Sequence, residues 1–254
     1  NKIQFRKDLK IAMMINSTDL DFSNNFKEQI KKFFIPKKNS KISIVRFATN
    51  LKNIKLILPH TELLKNMGYK IVVNLMQIDR VNTTELSNTL KILEKSNSVH
   101  IFYFADSFGN LNSKQIVKIC KIIKKNWSKD FGFHAHDNCG FALQNSLTAN
   151  NYGAKWIDST IQGMGRGAGN TATEDLLCAL QNNQNFKYNL KPIFQLSQNS
   201  FKKLKEKFKW GKSLYYHLSA KFSIHPSFIQ QLISYNKYSH EQIINIIYSL
   251  KKEK

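Results

Sequence analysis

Arginine is scarce in this chain. Only Arg6, Arg46, Arg80 and Arg166 carry a guanidinium, although basic residues outnumber acidic ones 39 to 17 and the formal net charge is +22. A protein that reads a nucleic-acid groove concentrates its charge and favours arginine for bidentate base contacts. Here lysines are spread along the chain among many Asn and Ile residues, a mixture that coding bias toward A and T produces. The stretch Lys202–Lys212 is the best nucleic-acid candidate, but it reads more simply as a solvated helix face, so nucleic acid is not expected as a partner. Cysteines are also few: Cys120, Cys139 and Cys178 are odd in number and widely spaced. They form no disulfide or metal pattern, and a reduced, cytoplasmic setting is expected. No run of 18 apolar residues occurs, which argues against a transmembrane helix. The charged opening Asn1–Lys10 does not read as a signal peptide.

The 254 residues, 42% of them hydrophobic, suffice for a large core without disulfides or structural zinc. Short apolar runs rich in β-branched and aromatic residues recur at Ile11–Ile15, Ile42–Ala48, Ile71–Met76, His100–Ala105, Phe131–His136 and Trp156–Ile161. These are read as strands. Between them lie amphipathic segments. Thr84–Lys95 stripes Leu86, Leu90 and Leu93, with Thr84 or Thr83 as N-cap. Ser113–Lys124 stripes Ile116, Ile119, Cys120 and Ile123, with Ser113 as N-cap. Asn138–Asn150 and Thr173–Gln181 continue the series. Strand and helix alternate six times, as in βα units and a parallel sheet, either doubly wound or closed as a (β/α)8 barrel. A complete barrel needs eight strands, so two are missing. The expected organisation is a barrel-type domain over residues 1–182 and an all-helical segment over 183–254, in which Pro192 opens the region and Pro226 starts a later helix.

The strongest chemical signal is Phe133-His134-Ala135-His136-Asp137-Asn138 at the end of a strand. Period-two alternation puts His134 and His136 on one face with Cα atoms about 6.6 Å apart, close enough to share a divalent ion. Two packed or surface histidines would give the same pattern. Downstream, Gly163-Met164-Gly165-Arg166-Gly167-Ala168-Gly169-Asn170 places four glycines in seven residues. Such a loop lets backbone N–H groups approach a ligand, but it has no Gly-Lys-Ser/Thr ending and is not a nucleotide phosphate loop.

Taken together, these motifs become specific. His134-Ala-His-Asp-Asn-x-Gly140, Asn145-Ser-Leu147, Gly153-Ala154, Ile157-Asp-Ser-Thr160 and Gly163–Asn170 resemble the last two strands of the pyruvate-lyase-like barrel enzymes. That family includes 4-hydroxy-2-oxovalerate aldolase, hydroxymethylglutaryl-CoA lyase and isopropylmalate synthase. Val45–Thr49 and Ala105–Gly109 resemble its fourth and sixth strands. The glycine loop is most similar to that of the hydroxy-oxo-acid aldolases, since it lacks the cysteine of the lyases and the acidic residue that the synthases carry before the arginine.

The resemblance implies a (β/α)8 TIM barrel represented by strands 3–8, over roughly residues 10–182. It implies Mn²⁺ or Mg²⁺ held by His134 and His136 with Asn170 as or near a ligand, and Asp137 as an outer carboxylate orienting an imidazole. It implies Ser107, Arg46, Gly165 and Arg166 against a 2-oxo acid substrate; for Arg46 an internal ion pair with a carboxylate competes with that role. Tyr215 or Tyr216 is a candidate for the family's catalytic tyrosine, with packed aromatics as the plainer alternative. The implied reaction is cleavage of a 4-hydroxy-2-oxo acid to pyruvate and an aldehyde, or its reverse. The alternatives are an acyl-CoA-dependent Claisen condensation and an inactive, aldolase-derived partner-binding protein. An aldehyde dehydrogenase or a second copy of the chain is the expected partner. The family's Arg-Asp-Gly segment, which ends its first strand and supplies a carboxylate ligand, does not occur in these residues. The chain is therefore read as a piece of a longer protein rather than a natural short form inactive alone.

Overall fold

The structure is a computed structural model that describes Arg6 and residues 8–20, 22–23, 25–183 and 189–252. Six strands pair in sequence order, β1 (Ile11–Asn16), β2 (Ile42–Thr49), β3 (Lys70–Leu75), β4 (Ile101–Asp106), β5 (Phe131–Ala135) and β6 (Trp156–Ile157). The ladders β1–β2, β2–β3, β3–β4 and β5–β6 are parallel. Helices α1 (Phe26–Phe33), α2 (Ile54–Asn66), α3 (Thr83–Ser96), α4 (Ser113–Asn126) and α5 (Ala142–Asn151) separate them, and α6 (Thr173–Asn183) follows β6. A doubly wound sheet reverses its strand order at a switch point. Strict sequence order instead matches consecutive βα units of a barrel, so the chain is α/β with six strands of a partial TIM barrel.

The chain divides into two compact units. The first takes residues up to Met76 with Val81–Phe104 and Ile122–Phe131. Burial explains why β2, β3 and β4 read as largely apolar runs. Every residue of β4 is buried, as are Val45, Phe47, Ile71, Val73 and Leu75, the state of parallel strands covered on both faces. The expected stripe Leu86, Leu90 and Leu93 on α3 is fully buried. Its N-cap is Asn82, one residue before the candidate Thr83 and two before Thr84. The Asn82 carboxamide accepts from Glu85 N, and the Glu85 carboxylate accepts from Asn82 N, both at 2.9 Å, a reciprocal box that neither threonine could form in that frame. β1 stands first in the strand order and leaves Met13 and Met14 exposed at 39% and 54%. Arg46 on β2 lies with its guanidinium 4.1 Å from the ring centroid of Tyr103.

The second unit takes Gln77–Arg80, Ala105–Lys121 and the chain from Gly132 onward. Asn112, not Ser113, caps α4, again by a reciprocal pair, with Gln115. After α6 the described residues are helical: α7 (Lys191–Leu196), a π-type turn at Ser197–Phe201, α8 (Lys202–Phe208), α9 (Leu214–Lys221), α10 (Pro226–Ser234) and α11 (His240–Lys252). Pro192 sits in the first turn of α7 and Pro226 opens α10. Lys202, Lys203, Lys207 and Lys209 are exposed, as a solvated face requires. Tyr216, Ile224, Ile229, Ile243 and Ile247 of the tail form one apolar cluster that also includes Ala168. The helical tail is thus packed onto the glycine loop itself.

Candidate metal centre

All the groups that converge here belong to the second unit. β5 alternates as expected: Phe133 and Ala135 are buried in the core, and His134 and His136 turn to the opposite face. Their Nε2 atoms lie 3.4 Å apart, with ring planes at 82°. Two nitrogens each roughly 2.1 Å from one ion cannot be more than about 4.2 Å apart, so this spacing lets both reach a common cation.

The orienting carboxylate is Asp158. The parallel register pairs Gly132 with Trp156 and Phe133 with Ile157; one step further it sets Asp158 beside His134. The Asp158 Oδ2 to His134 Nδ1 distance is 2.9 Å. This contact holds a proton on Nδ1 and leaves the Nε2 lone pair free, as in carboxylate–histidine–metal arrangements. Asp137, expected in that role, is engaged elsewhere. Its Oδ1 accepts from Ala142 N at 3.0 Å and its Oδ2 lies 3.3 Å from Lys212 Nζ, because it follows the strand and turns with the start of α5.

His136 is more deeply buried than its partner. Burial, with smaller contributions from His134, Arg166 and His225, pulls its pKa down to about 3. It is therefore neutral at physiological pH, with a lone pair available to a cation. Its Nδ1 and the Asn170 Oδ1 are buried without a hydrogen-bond partner among the described residues. Asn170 is tied to His136 by an antiparallel bridge, and its Nδ2 donates to Met164 O at 3.0 Å. The two imidazoles and the orphaned carboxamide oxygen are donor types that could hold a divalent ion such as Mn²⁺ without excluding zinc. Among the described residues no group of three His, Cys, Asp or Glu side chains is placed to hold a metal.

The glycine loop closes on itself. A Cβ at Gly165 would come 2.5 Å from Asn170 Nδ2, and Gly167 faces the Tyr216 ring, 3.1 Å from where a Cβ would stand. The room left by absent side chains is thus filled by Asn170 and Tyr216. Of the two candidate tyrosines, Tyr216 reaches the loop; burial raises its phenol pKa, keeping it protonated. Tyr215 instead bonds His240 Nδ1 through its hydroxyl. Arg166 is exposed and donates to Ser227 Oγ at 3.2 Å. Ser107 Oγ accepts from Gln77 N at 2.9 Å.

Asp106, which precedes Ser107, is buried, and its two carboxylate oxygens accept from Asn110 N and Leu111 N. Burial outweighs those bonds and pushes its pKa up to about 7. Between the usual carboxylate pKa and 7 the folded state therefore keeps a proton that the unfolded state releases. The contribution of Asp106 to stability should fall as pH rises through that window, by on the order of 4 kcal/mol at ~1.4 kcal/mol per tenfold shift. Urea unfolding of the wild type and Asp106→Asn at pH 4.5, 6 and 7.5 checks this. The wild type should lose ground against the variant as pH rises, and a pH-independent difference would show that burial does not raise this carboxyl.

A strand-ordered α/β chain with paired imidazoles at the end of a strand and a glycine loop against them defines a partial TIM barrel with a candidate site at one strand end. The chain belongs to the HMGL-like family, whose model matches residues 4–199. It is 34% identical over 140 residues to a 4-hydroxy-2-oxovalerate aldolase of Pelotomaculum thermopropionicum, covering 55% of this chain and 41% of that protein. It is 36% identical over 143 residues to one of Geobacillus genomosp. 3, covering 56% and 42%. The match thus spans about two fifths of the length of these relatives. Among solved structures, the amino-terminal domain of a candidate aldolase from Bacteroides vulgatus superposes with a TM-score of 0.81 at 30% identity, covering 94% of this chain and 76% of that one. HMG-CoA lyase of Bacillus subtilis shares the fold, with a TM-score of 0.65 at 17% identity, covering 82% and 73%. No helix among the described residues is long and apolar enough to cross a membrane.

Proposed function

We propose that this chain is part of a divalent-metal-dependent aldolase that cleaves a 4-hydroxy-2-oxo acid to pyruvate and an aldehyde, or runs the reverse condensation. The observation that carries the reading is the 3.4 Å approach of the His134 and His136 Nε2 atoms, with Asp158 holding the far nitrogen of His134. Mn²⁺ or Mg²⁺ would be held by these imidazoles with Asn170 Oδ1. A cation there supplies positive charge where negative charge develops on the 2-oxo group as the carbon–carbon bond breaks. Ser107 and Arg166 are proposed to meet the substrate carboxylate, Gly165 to leave room beside Asn170, and the protonated Tyr216 hydroxyl to hold a proton near the reacting oxygen. Arg46 lies in the first unit, its guanidinium against the Tyr103 ring. The aldehyde would pass to a dehydrogenase partner; the exposed Phe208, Leu214 and Phe228 of the helical tail are surfaces that such a partner, or a second copy, would cover. A cytoplasmic setting suits Cys120, Cys139 and Cys178, none of which is in a disulfide.

The test is product analysis with the full-length protein. A 4-hydroxy-2-oxo acid should yield pyruvate and aldehyde in equal amounts, with activity lost on chelation, restored by Mn²⁺ and unaffected by acetyl-CoA. Release of free CoA from acetyl-CoA and a 2-oxo acid, without cleavage, would favour a Claisen condensation. Mn²⁺ binding with neither reaction would favour a partner-binding protein derived from an aldolase.

A further inference from the structure

The glycine loop begins with a residue that has no conformational reason to be there. Gln162 adopts φ 56 and ψ 21, the left-handed region that non-glycine residues seldom occupy. It is fastened at three points. Both oxygens of the Glu174 carboxylate accept its backbone N–H at 3.1 Å. Its carbonyl accepts from Trp210 Nε1 at 3.0 Å, and its side-chain Nε2 donates to Ser197 Oγ at 2.8 Å. Ser197 Oγ in turn donates to Glu174 at 2.9 Å, closing a ring of three residues. Glu174 is only 8% exposed and Ser197 2%. Glu174 also lies in the first turn of α6, where the helix dipole favours a carboxylate. The next residue, Gly163, gives its carbonyl to Asn170 N at 3.0 Å. A path of direct bonds therefore runs from Glu174 through Gln162 and Gly163 to Asn170, whose Oδ1 has no partner among the described residues.

We propose that Glu174 is a positioning residue: by holding Gln162 in its left-handed conformation it sets the place of the Asn170 carboxamide, and through it the strength of divalent-ion binding. The link to the ion rests on the proposed function; the link to Asn170 does not. Ser197, from the π-type turn between α7 and α8, makes the helical tail part of the same brace. A glycine at 162 would need no brace, because the left-handed region is open to it.

The experiment compares full-length wild type, Glu174→Gln, Gln162→Gly and the double variant. Two readouts are taken: Mn²⁺ affinity by electron paramagnetic resonance, and the NMR signals of the Asn170 carboxamide and Trp210 indole N–H without metal. In Glu174→Gln an N–H₂ group replaces one acceptor oxygen. Mn²⁺ affinity should fall about 10-fold, the scale of outer-sphere changes, and both NMR signals should move. In the double variant affinity and the Asn170 signal should return toward those of Gln162→Gly. An unmoved Asn170 signal in a folded Glu174→Gln protein, or no recovery in the double variant, overturns the proposal. If wild type binds no Mn²⁺, the metal reading falls while the NMR comparison still decides the role of Glu174.

Discussion

Replacing His134 and His136 together by alanine should lower the affinity of the full-length protein for Mn²⁺ by more than about 100-fold, above ~2.7 kcal/mol, and remove metal-dependent cleavage with it. The size follows from the donor set. The described residues offer two imidazoles and one carboxamide oxygen, so the double change removes both nitrogen donors, whose Nε2 atoms stand 3.4 Å apart. Asp158→Asn leaves both ligands in place and alters only the group that fixes His134 Nδ1. Its loss should be smaller, about 10- to 100-fold. The order of these effects is the test, read by isothermal titration with Mn²⁺ and checked by circular dichroism for fold. Wild-type affinity in the double variant would mean that the imidazoles are not ligands.

Acid provides a second signature of the same site. The folded His136 pKa of about 3 lies below its ordinary value of 6.5. As pH falls through that interval the unfolded chain takes up a proton that the native imidazole refuses, so this group's contribution to stability drops, opposite in sign to that of Asp106. Relative to His136→Gln the wild type should therefore lose stability as pH falls, measured by urea unfolding between pH 4 and 7.

Much of the fold can be read from residue types alone because parallel strands covered on both faces must be apolar throughout. β2 to β5 are visible for that reason, whereas β1 is apolar in sequence although four of its six residues are exposed. β6 is the instructive exception. The apolar run suggests Trp156–Ile161, yet the strand ends at Ile157, because Thr160 leaves the sheet to pair with Ala172. The histidine pair is legible from the period of a strand. Its orienting carboxylate is not, since Asp158 lies 24 residues away and meets His134 only through the β5–β6 register. Asp137 looks the better partner because it is adjacent in sequence, but its carboxylate is taken by Ala142 N and Lys212. Glu174 and Ser197 carry no sequence signal either; what connects them is the backbone angle of Gln162, which composition does not encode. Helix caps fail by one residue for a related reason. Both true caps are asparagines completed by Glu85 or Gln115 three residues on, while the neighbouring hydroxyl residues are equally suitable cap types taken singly.

Gly169→Ala should be the most damaging single-methyl change among the glycines of the loop. Gly169 has φ +84, and a Cβ there would stand 2.2 Å from the Gly163 carbonyl oxygen, closer than any packing adjustment of a flexible side chain could relieve. The backbone must open, and two bonds lie on the opening path: Asn170 N to Gly163 O at 3.0 Å and Asp137 N to Gly169 O at 2.9 Å. A left-handed penalty of about 1–2 kcal/mol and the two weakened bonds at about 1 kcal/mol each give a loss of ~3–4 kcal/mol in unfolding free energy. Because one bond positions Asn170 and the other the residue after His136, Mn²⁺ affinity should fall in parallel. Gly68→Ala is the matched control. Its φ is +94, but its Cβ would stop 3.3 Å from Lys37 Cβ, so it should cost only the conformational penalty and leave Mn²⁺ binding unchanged. Denaturant unfolding and Mn²⁺ titration of both variants separate the two outcomes. If Gly169→Ala costs no more than Gly68→Ala, the loop is free to breathe and does not hold Asn170 against His136.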